Sequence, residues 1–309
     1  MRKFLGLFLC LATLLAFHAI HADTTSKNPK VVLITGASRG IGLATAEHLA
    51  DKGYCVYATV RHKESFDPIK HKNIHIEELD VTDVKTIRKT VKKILKNHGR
   101  IDVLINNAGY ALGGPVECLK MKEINAQMDV NFFGVIRVCQ EVLPAMRKQK
   151  SGQIINISSE QGTYGLPYGS LYTASKAALE SLSEALSLEL LPWNIAVSIV
   201  EPGFVSTDFT IKLGQRKVKN NPYEKVLAIM EQGLVKKDLK IEPDAQDPIA
   251  VAGCILQVIE DPKPKLRYQT SAAAKEMVSM KLKDLSGEEY TQKMKRDWQE
   301  TYFPEQKKP

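Results

Sequence analysis

A short apolar run followed by three glycines constrains the fold of this chain more than any other feature. Val31 to Ile34 is a continuous apolar segment of strand length, typical of a strand buried on both faces of a sheet. Gly36, Gly40 and Gly42 follow with the spacing G-x-x-x-G-x-G, and a helical pattern begins there. Strand, glycine turn and helix together indicate a dinucleotide site, because glycines admit a pyrophosphate and a helix N-terminus attracts its charge. The alternative is a tight turn without a ligand.

Strand-like and helix-like segments alternate along the rest of the chain. Predicted strands begin near Val31, Cys55, Ile74, Val103, Ile154 and Ile195, with a short seventh near Tyr268. The longest predicted helices cover Glu123–Gln149 and Ser170–Leu191. This alternation predicts an α/β fold, a Rossmann-type doubly wound parallel sheet of about seven strands flanked by helices. Residues 30–309 are expected to form a single domain.

Tyr172 and Lys176 indicate chemistry. Residues four apart on a helix lie on one face, so the phenol and the ammonium are neighbours. A free phenol has a pKa near ~10, and lowering it by ~3 units requires about 4 kcal/mol of differential interaction. A nearby ammonium favours the phenolate, and a bound cationic ring would add to that effect. By itself the Y-x-x-x-K pattern is also that of a surface lysine beside a half-buried tyrosine.

Taken together with further motifs, the chain resembles the short-chain dehydrogenase/reductase family over roughly residues 30–205. The motifs appear in order as Thr35 to Gly42, Asp80-Val81, Asn106 to Gly109, Asn131, Ser159, Tyr172 with Lys176, and Pro202-Gly203. Within the family, Leu266 to Thr270 and Lys283 to Gly287 are similar to the branch of estradiol 17β-dehydrogenase type 1 and the retinol dehydrogenases.

The resemblance implies four catalytic roles. Tyr172 is expected to pass a proton to or from the substrate oxygen, and Ser159 to hold that oxygen. Lys176 is expected to lower the tyrosine pKa and to bond the nicotinamide ribose. Asn131 is expected to anchor a water molecule that links Lys176 to solvent. No metal is expected, since the cofactor carries the hydride.

Charge favours NADP(H) over NAD(H). The second strand ends in Val60-Arg61 without the acidic residue that bonds an adenosine ribose, and Arg39 lies in the glycine loop. Two guanidinium groups suit a 2′-phosphate, although either is also explained as a solvated side chain. The full set of expected cofactor-binding residues is Gly36, Ser38, Arg39, Gly40, Ile41, Gly42, Arg61, Asp80, Val81, Asn107, Ala108, Gly109, Tyr172, Lys176, Pro202 and Gly203.

The expected substrate is a hydrophobic alcohol or carbonyl compound, steroid-, retinoid- or lipid-like. Residues 204–240 mix apolar side chains with lysines and are predicted to form a substrate lid, and residues 262–309 a C-terminal extension. Two alternatives remain open: a 3-oxoacyl thioester reductase, and a catalytically silent NADP(H)-binding sensor. The resemblance implies a homodimer or homotetramer.

The N-terminus indicates export or membrane anchoring. Met1-Arg2-Lys3 precedes an apolar stretch that ends near Ala22, as in a signal peptide or a short membrane anchor. Residues 1–22 are therefore predicted to be one or the other, followed by a linker over 23–29. The catalytic domain is expected on the periplasmic or endoplasmic-reticulum lumen side, and it would be membrane-associated if residues 1–22 are not cleaved. The net charge of +8 comes from scattered lysines without aromatic platforms, so no nucleic-acid partner is expected.

Overall fold

Seven parallel strands form the centre of the molecule in the computed structural model, which describes residues 28–65, 71–209, 211–214, 218, 221–236, 245–283, 292–293 and 296. The strands in chain order are β1 (Val31–Ile34), β2 (Cys55–Val60), β3 (Ile74–Glu78), β4 (Val103–Asn106), β5 (Ala111–Gly113), β6 (Gly152–Ile157), β7 (Ile195–Glu201), β8 (Ile211–Leu213) and β9 (Arg267–Gln269). The central sheet has the order β3-β2-β1-β4-β6-β7-β9. This confirms the predicted fold class.

Helices cover both faces of the sheet. They are α1 (Gly40–Asp51), α2 (Val84–His98), α3 (Met121–Met128), α4 (Gly134–Gln149), α5 (Ser170–Glu189), α6 (Glu224–Lys236), α7 (Pro248–Glu260) and α8 (Ala272–Lys283). Because successive strand residues point to opposite faces, Leu33 packs in one core with α2, α4 and α5, whereas Ile34 packs in the other with α1 and α7. Both cores are made mainly of buried aliphatic side chains.

The long helix predicted over Glu123–Gln149 is interrupted. A π-helical turn, Asp129–Phe133, separates α3 from α4. The apolar periodicity runs through this turn, so the sequence pattern did not reveal it. Asn131 lies within the turn, and π-helical turns are frequent at functional sites.

A second, two-stranded parallel sheet was not predicted. Strand β5 pairs with β8 so that Ala111 lies opposite Ile211 and Gly113 opposite Leu213. Three-residue strands carry too little apolar alternation to be read from sequence. This small sheet joins the segment after β4 to the segment that follows Pro202-Gly203.

Several predicted segments lie outside the described residues. These are residues 1–22, most of the 23–29 linker, and parts of the predicted lid and C-terminal extension. Their roles stay predictions. Among the residues that the structure describes, no helix has the length and apolar character needed to cross a bilayer.

Leu104→Ala tests the central sheet. Leu104 in β4 is fully buried and pairs with Leu33 and Ile154 on the neighbouring strands. We expect the free energy of unfolding, measured with urea, to fall by about 2–5 kcal/mol. Leu188→Ala is the matched control, because Leu188 is 69% exposed. Equal losses in the two variants would contradict the placement of β4 at the centre of the sheet.

Candidate active site

The predicted site residues gather at the carboxyl edge of the sheet. The strand order reverses between β1 and β4, and ligands of doubly wound sheets bind at such a switch point. The glycine loop follows β1, Asn107 follows β4, Ser159 follows β6 and Pro202 follows β7. Four loops that are far apart in sequence therefore meet at one edge.

The glycine loop lies directly against the chain that follows β4. Gly36 has φ +67°, and a β-carbon there would lie 2.7 Å from the Cα atom of Ala108. A β-carbon on Gly42 would lie 2.5 Å from the Asn107 side-chain nitrogen. Only glycine fits at these two positions, because the neighbouring atoms belong to backbone or to a hydrogen-bonded amide.

Asn107 and Thr35 hold these two loops together. The Asn107 side-chain amide donates to the carbonyl oxygens of Thr35 (3.0 Å) and Gly36 (2.9 Å). The Thr35 hydroxyl accepts from the backbone N–H groups of Asn107 (3.0 Å) and Ala108 (3.1 Å). Asn107 was predicted to line the cofactor ribose, and its side chain also fastens the glycine loop.

The start of α1 is open to an anion. Arg39 is the residue before the helix, and no side chain caps the helix N-terminus. Ser38 and Arg39 are exposed, and Ile41 is half-buried against the core. Unpaired N–H groups and the helix dipole at such an end favour a phosphate.

Arg39 and Arg61 are close to the same backbone hydrogen bond. Ala37 N–H donates to the Thr59 carbonyl oxygen (2.8 Å), which joins the glycine loop to the end of β2. Each arginine is two residues from one end of this bond, and both are exposed. Both arginines therefore come from the two chain segments that meet at this hydrogen bond, and no acidic side chain ends the strand there.

Asp80 and Val81 form the next part of the edge. The Asp80 carboxylate accepts from the N–H (2.8 Å) and hydroxyl (2.7 Å) groups of Thr82, which fixes the turn after β3. Val81 is buried, and a β-carbon on Gly134 would lie 2.8 Å from its side chain. This contact seats the start of α4 against the turn.

Helix α5 brings Tyr172 to Ser159. Ser159 is buried; its side-chain oxygen accepts from the Gln161 N–H (3.2 Å). Burial raises the pKa of the Tyr172 phenol to about 12, while a hydrogen bond with Ser159 lowers it and the charge of Glu160 raises it. The expectation from sequence was a lowered pKa, and with the protein's own groups burial outweighs the favourable contacts.

Lys176 is buried one turn after Tyr172. Its Nζ atom donates to the Ile157 carbonyl oxygen (2.7 Å) and lies 5.8 Å from the centre of the Tyr172 ring. Burial lowers the pKa of Lys176 to about 8, and the nearby charge of Glu180 opposes that change. The ammonium is held beneath the phenol as the spacing predicted, without a direct hydrogen bond to it in this structure.

Asn131 fixes the other side of α5. Its side chain accepts from the N–H of Tyr110 (3.2 Å), and its amide donates to the carbonyl oxygen of the same residue (3.0 Å). The amide also donates to the Ser175 hydroxyl (3.1 Å), which donates to the Tyr172 carbonyl oxygen (2.7 Å). The π-helical turn thus positions Tyr172 through Ser175.

Apolar side chains face the same edge from the segment after Pro202-Gly203. The Phe209 ring packs edge-on against Tyr172 with 5.9 Å between ring centres. Around Gly113 in β5, a β-carbon would meet the side chains of Ile211 and Met230, each at 3.4 Å. We call Phe209, Ile211 and Met230 the apolar wall; of these, Phe209 contacts the Tyr172 ring.

Some residues at this edge were not identified from sequence. The Thr207 side chain would lie 3.2 Å from a β-carbon on Gly40, so it covers the glycine loop. Glu180, Glu201 and Arg267 form a buried ionic cluster behind Lys176. Of these contacts, only the proximity of Glu180 to Lys176 could have been inferred from the sequence, because the two residues are four apart on a predicted helix.

The edge fits a nicotinamide dinucleotide. It offers a glycine loop in which Gly36 and Gly42 leave no room for a β-carbon, a helix N-terminus without a side-chain cap, and two exposed arginines close to it in sequence. No group of three metal-ligating side chains occurs in the part of the chain that the structure describes.

The sequence matches a family model described as short chain dehydrogenase over residues 30–218. It is 47% identical over 182 residues to a 3-ketodihydrosphingosine reductase of Bacteroides thetaiotaomicron, covering 59% of this chain and 66% of that protein. It is 35% identical to human retinol dehydrogenase 8, covering 85% of this chain and 88% of that protein. Human 17-beta-hydroxysteroid dehydrogenase type 1 is also 35% identical, with 86% and 85% covered.

Solved structures agree with the sequence matches. A short-chain dehydrogenase from Streptomyces avermitilis superposes with a TM-score of 0.75 at 32% identity, covering 88% of this chain and 99% of that one. A short chain dehydrogenase from Burkholderia cenocepacia in complex with NADP gives a TM-score of 0.69 at 25% identity, covering 85% and 97%.

Gly36→Ala tests the close approach of the two loops. The left-handed backbone at Gly36 costs alanine about 1–2 kcal/mol, and the contact with Ala108 adds to that cost. Gly99→Ala is the control, because Gly99 has φ +70° with open space around it. We expect both variants to lose stability in urea unfolding and only Gly36→Ala to lose NADPH binding, measured by fluorescence. Unchanged NADPH affinity in Gly36→Ala would contradict the cradle.

Proposed function

This chain belongs to the short-chain dehydrogenase family and is an oxidoreductase acting on CH–OH groups, and on that premise we propose that it transfers hydride between NADP(H) and a hydrophobic alcohol or ketone. The observation that carries the proposal is the convergence of Tyr172, Ser159 and Lys176 beside an apolar wall, at the edge that holds the glycine cradle.

The proposed proton chemistry uses Tyr172 and Ser159. NADP(H) supplies or accepts the hydride when bound. Tyr172 holds the proton that the substrate oxygen gains during reduction, and a phenol with a raised pKa is fully protonated at neutral pH. Ser159 holds the same oxygen as its charge develops.

Lys176 and Asn131 support the phenol. The Lys176 ammonium stabilises the phenolate left after proton donation, from a position 5.8 Å from the ring centre. Asn131 keeps α5 in place through Ser175 and the Tyr172 carbonyl oxygen. We propose that Asn131 also anchors the water molecule through which Lys176 recovers its proton.

The preference for NADP(H) rests on charge. Arg39 and Arg61 are exposed on the two sides of the Ala37–Thr59 hydrogen bond, where a 2′-phosphate would lie. The complex of the related Burkholderia cenocepacia protein with NADP supports the same cofactor. Guanidinium groups bind phosphate in bidentate geometry, which favours NADPH over NADH.

The hydrophobic substrate is supported by the apolar wall. Phe209 packs against Tyr172, whereas Ile211 and Met230 pack around Gly113. Burial of apolar surface against these side chains would stabilise a long or fused-ring substrate by roughly 25 cal/mol per Å². Relatives named for a ketosphingoid base, retinol and hydroxysteroids support a lipid-like ketone or alcohol.

Tyr172→Phe tests the acid/base assignment. It removes one hydroxyl and keeps the ring that packs on Phe209. We expect turnover to fall by at least roughly 100-fold, since general acid catalysis contributes about 10²–10⁴-fold, while NADPH affinity changes little. Substantial residual turnover would refute the role of Tyr172. NADPH binding by the wild-type protein without turnover of any ketone would favour the sensor instead.

Arg61→Asp tests the phosphate site. Loss of the guanidinium and gain of a carboxylate should lower the preference for NADPH over NADH by roughly 10- to 100-fold, equal to about 1.4–3 kcal/mol. The ratio of the two Kd values measures it. Lys72→Asp is the control, because it makes the same charge change at an exposed residue before β3, at the opposite edge of the sheet. The same drop in both variants would remove Arg61 from the phosphate site.

A further inference from the structure

Helix α5 carries a stripe of four functional groups. Tyr172, Lys176, Glu180 and Glu184 are spaced by four, so they follow one another along one face. Tyr172 and Lys176 belong to the proposed catalytic set, and the two glutamates continue the line away from the substrate edge. Lys176 and Glu180 are each about 5% exposed or less, whereas the Glu184 side chain is 52% exposed.

The Glu180 carboxylate is contacted from two sides, by Arg267 and by the turn after Ser159. One carboxylate oxygen forms an ion pair with Arg267. The other is buried on the side of Ser158, whose hydroxyl lowers the pKa of Glu180. A β-carbon on Gly162 would lie 2.9 Å from the Cγ atom of Glu180 and from the Ser158 hydroxyl oxygen, so the turn after Ser159 packs directly on this carboxylate.

Arg267 ties this carboxylate to β7 and to the next turn of α5. Its guanidinium also bonds the carboxylates of Glu201 (2.6 Å) and Glu184 (2.5 Å). Glu201 is fully buried, accepts from Gln269 and immediately precedes Pro202-Gly203. The charged groups on elements packed around Glu180 are Lys176 and Glu184 on α5, Glu201 on β7, Arg267 on β9 and Glu160 in the turn after Ser159.

We propose that Glu180 is a positioning residue that keeps Lys176 charged beneath Tyr172. The inference rests on the proposed role of Lys176. A buried ammonium requires a nearby negative charge, and Glu180 lies one helical turn away on the same face. Arg267 holds the carboxylate in that place without neutralising the whole cluster, because it is shared among three glutamates.

The electrostatics agree with the geometry. Burial lowers the pKa of Lys176 to about 8, and the charge of Glu180 raises it. Burial and the charge of Glu201 raise the pKa of Glu180 to about 7, and a hydrogen bond with Ser158 and the charge of Arg267 lower it. The negative charge of Glu180 therefore opposes the effect of burial on the Lys176 pKa. Without Glu180, Lys176 would lose its proton at a lower pH.

The direct test is the titration of Lys176 itself. In protein labelled with carbon-13 lysine, the Cε signal of Lys176 is assigned by its loss in Lys176→Met and followed with pH by NMR. We expect Glu180→Gln to lower the titration midpoint of Lys176 by about one pH unit, which is a tenfold increase in its proton-dissociation constant. Glu184→Gln is the matched control, because Glu184 bonds the same guanidinium but is exposed and two turns from Lys176. Its midpoint should stay at the wild-type value.

The outcomes separate a charge effect from a structural one. An unchanged midpoint in Glu180→Gln, or an equal fall in Glu184→Gln, would overturn the inference. The pH profile of kcat/KM for NADPH-dependent reduction should lose its alkaline side at correspondingly lower pH, whereas a structural role would lower the rate equally at every pH. Absence of turnover in the wild-type protein would contradict the proposed function alone, since the NMR midpoint still decides the role of Glu180.

A second variant covers the case in which Glu180→Gln does not fold, judged by circular dichroism. Glu180→Met removes the charge and nearly keeps the length of the side chain, while Arg267 retains Glu184 and Glu201 as partners and no buried charge is stranded. The same fall in the Lys176 midpoint is expected, and an unchanged midpoint overturns the inference.

Discussion

The site depends on the close contact between the glycine loop and the chain that leaves β4. Because Gly36 has no side chain, its backbone lies against Ala108, and Asn107 and Thr35 lock the two loops with four hydrogen bonds. That contact fixes the paths of the two loops that leave β1 and β4 at the switch point of the sheet. It thereby fixes where the N-terminus of α1 points, and so where a dinucleotide phosphate can be held.

The second requirement is a catalytic helix held rigidly from both sides. Asn131 in the π-helical turn bonds Ser175, and Arg267 on the far strand bonds Glu180, so the stripe from Tyr172 to Glu180 is fixed at both ends. Burial raises the pKa of Tyr172 to about 12, further above neutrality than that of a free phenol. Lys176 and the cofactor must therefore supply more phenolate stabilisation than a free phenol would require.

Local and periodic features of this fold were readable from sequence. Each strand of the central sheet was predicted, because buried parallel strands appear as apolar runs such as Val31 to Ile34. The family motifs indicated which polar residues meet, and the structure brings Ser159 to Tyr172 and Lys176 beneath it. The predicted roles of these residues stay predictions until turnover is measured.

Long-range and irregular features were not readable. The π-helical turn preserves the apolar periodicity of a continuous helix, and β5 and β8 are too short to show alternation. The partners of Arg267 are separated from it by 66 to 87 residues, so no local sequence pattern indicates these contacts. Spacing indicates the neighbouring ammonium and not the depth of burial, which raises the pKa of the Tyr172 phenol when the protein's own groups act alone.

The most direct test of the account is isotope transfer from NADPH deuterated at the hydride-donating position of its ring. The purified protein would be given a long-chain amino ketone, a steroid ketone and retinal, with deuterated NADH in parallel. The account predicts deuterium on the carbinol carbon of at least one hydrophobic product, formed faster from NADPH than from NADH. Tight NADPH binding without deuterium transfer to any of these carbonyl compounds would contradict it.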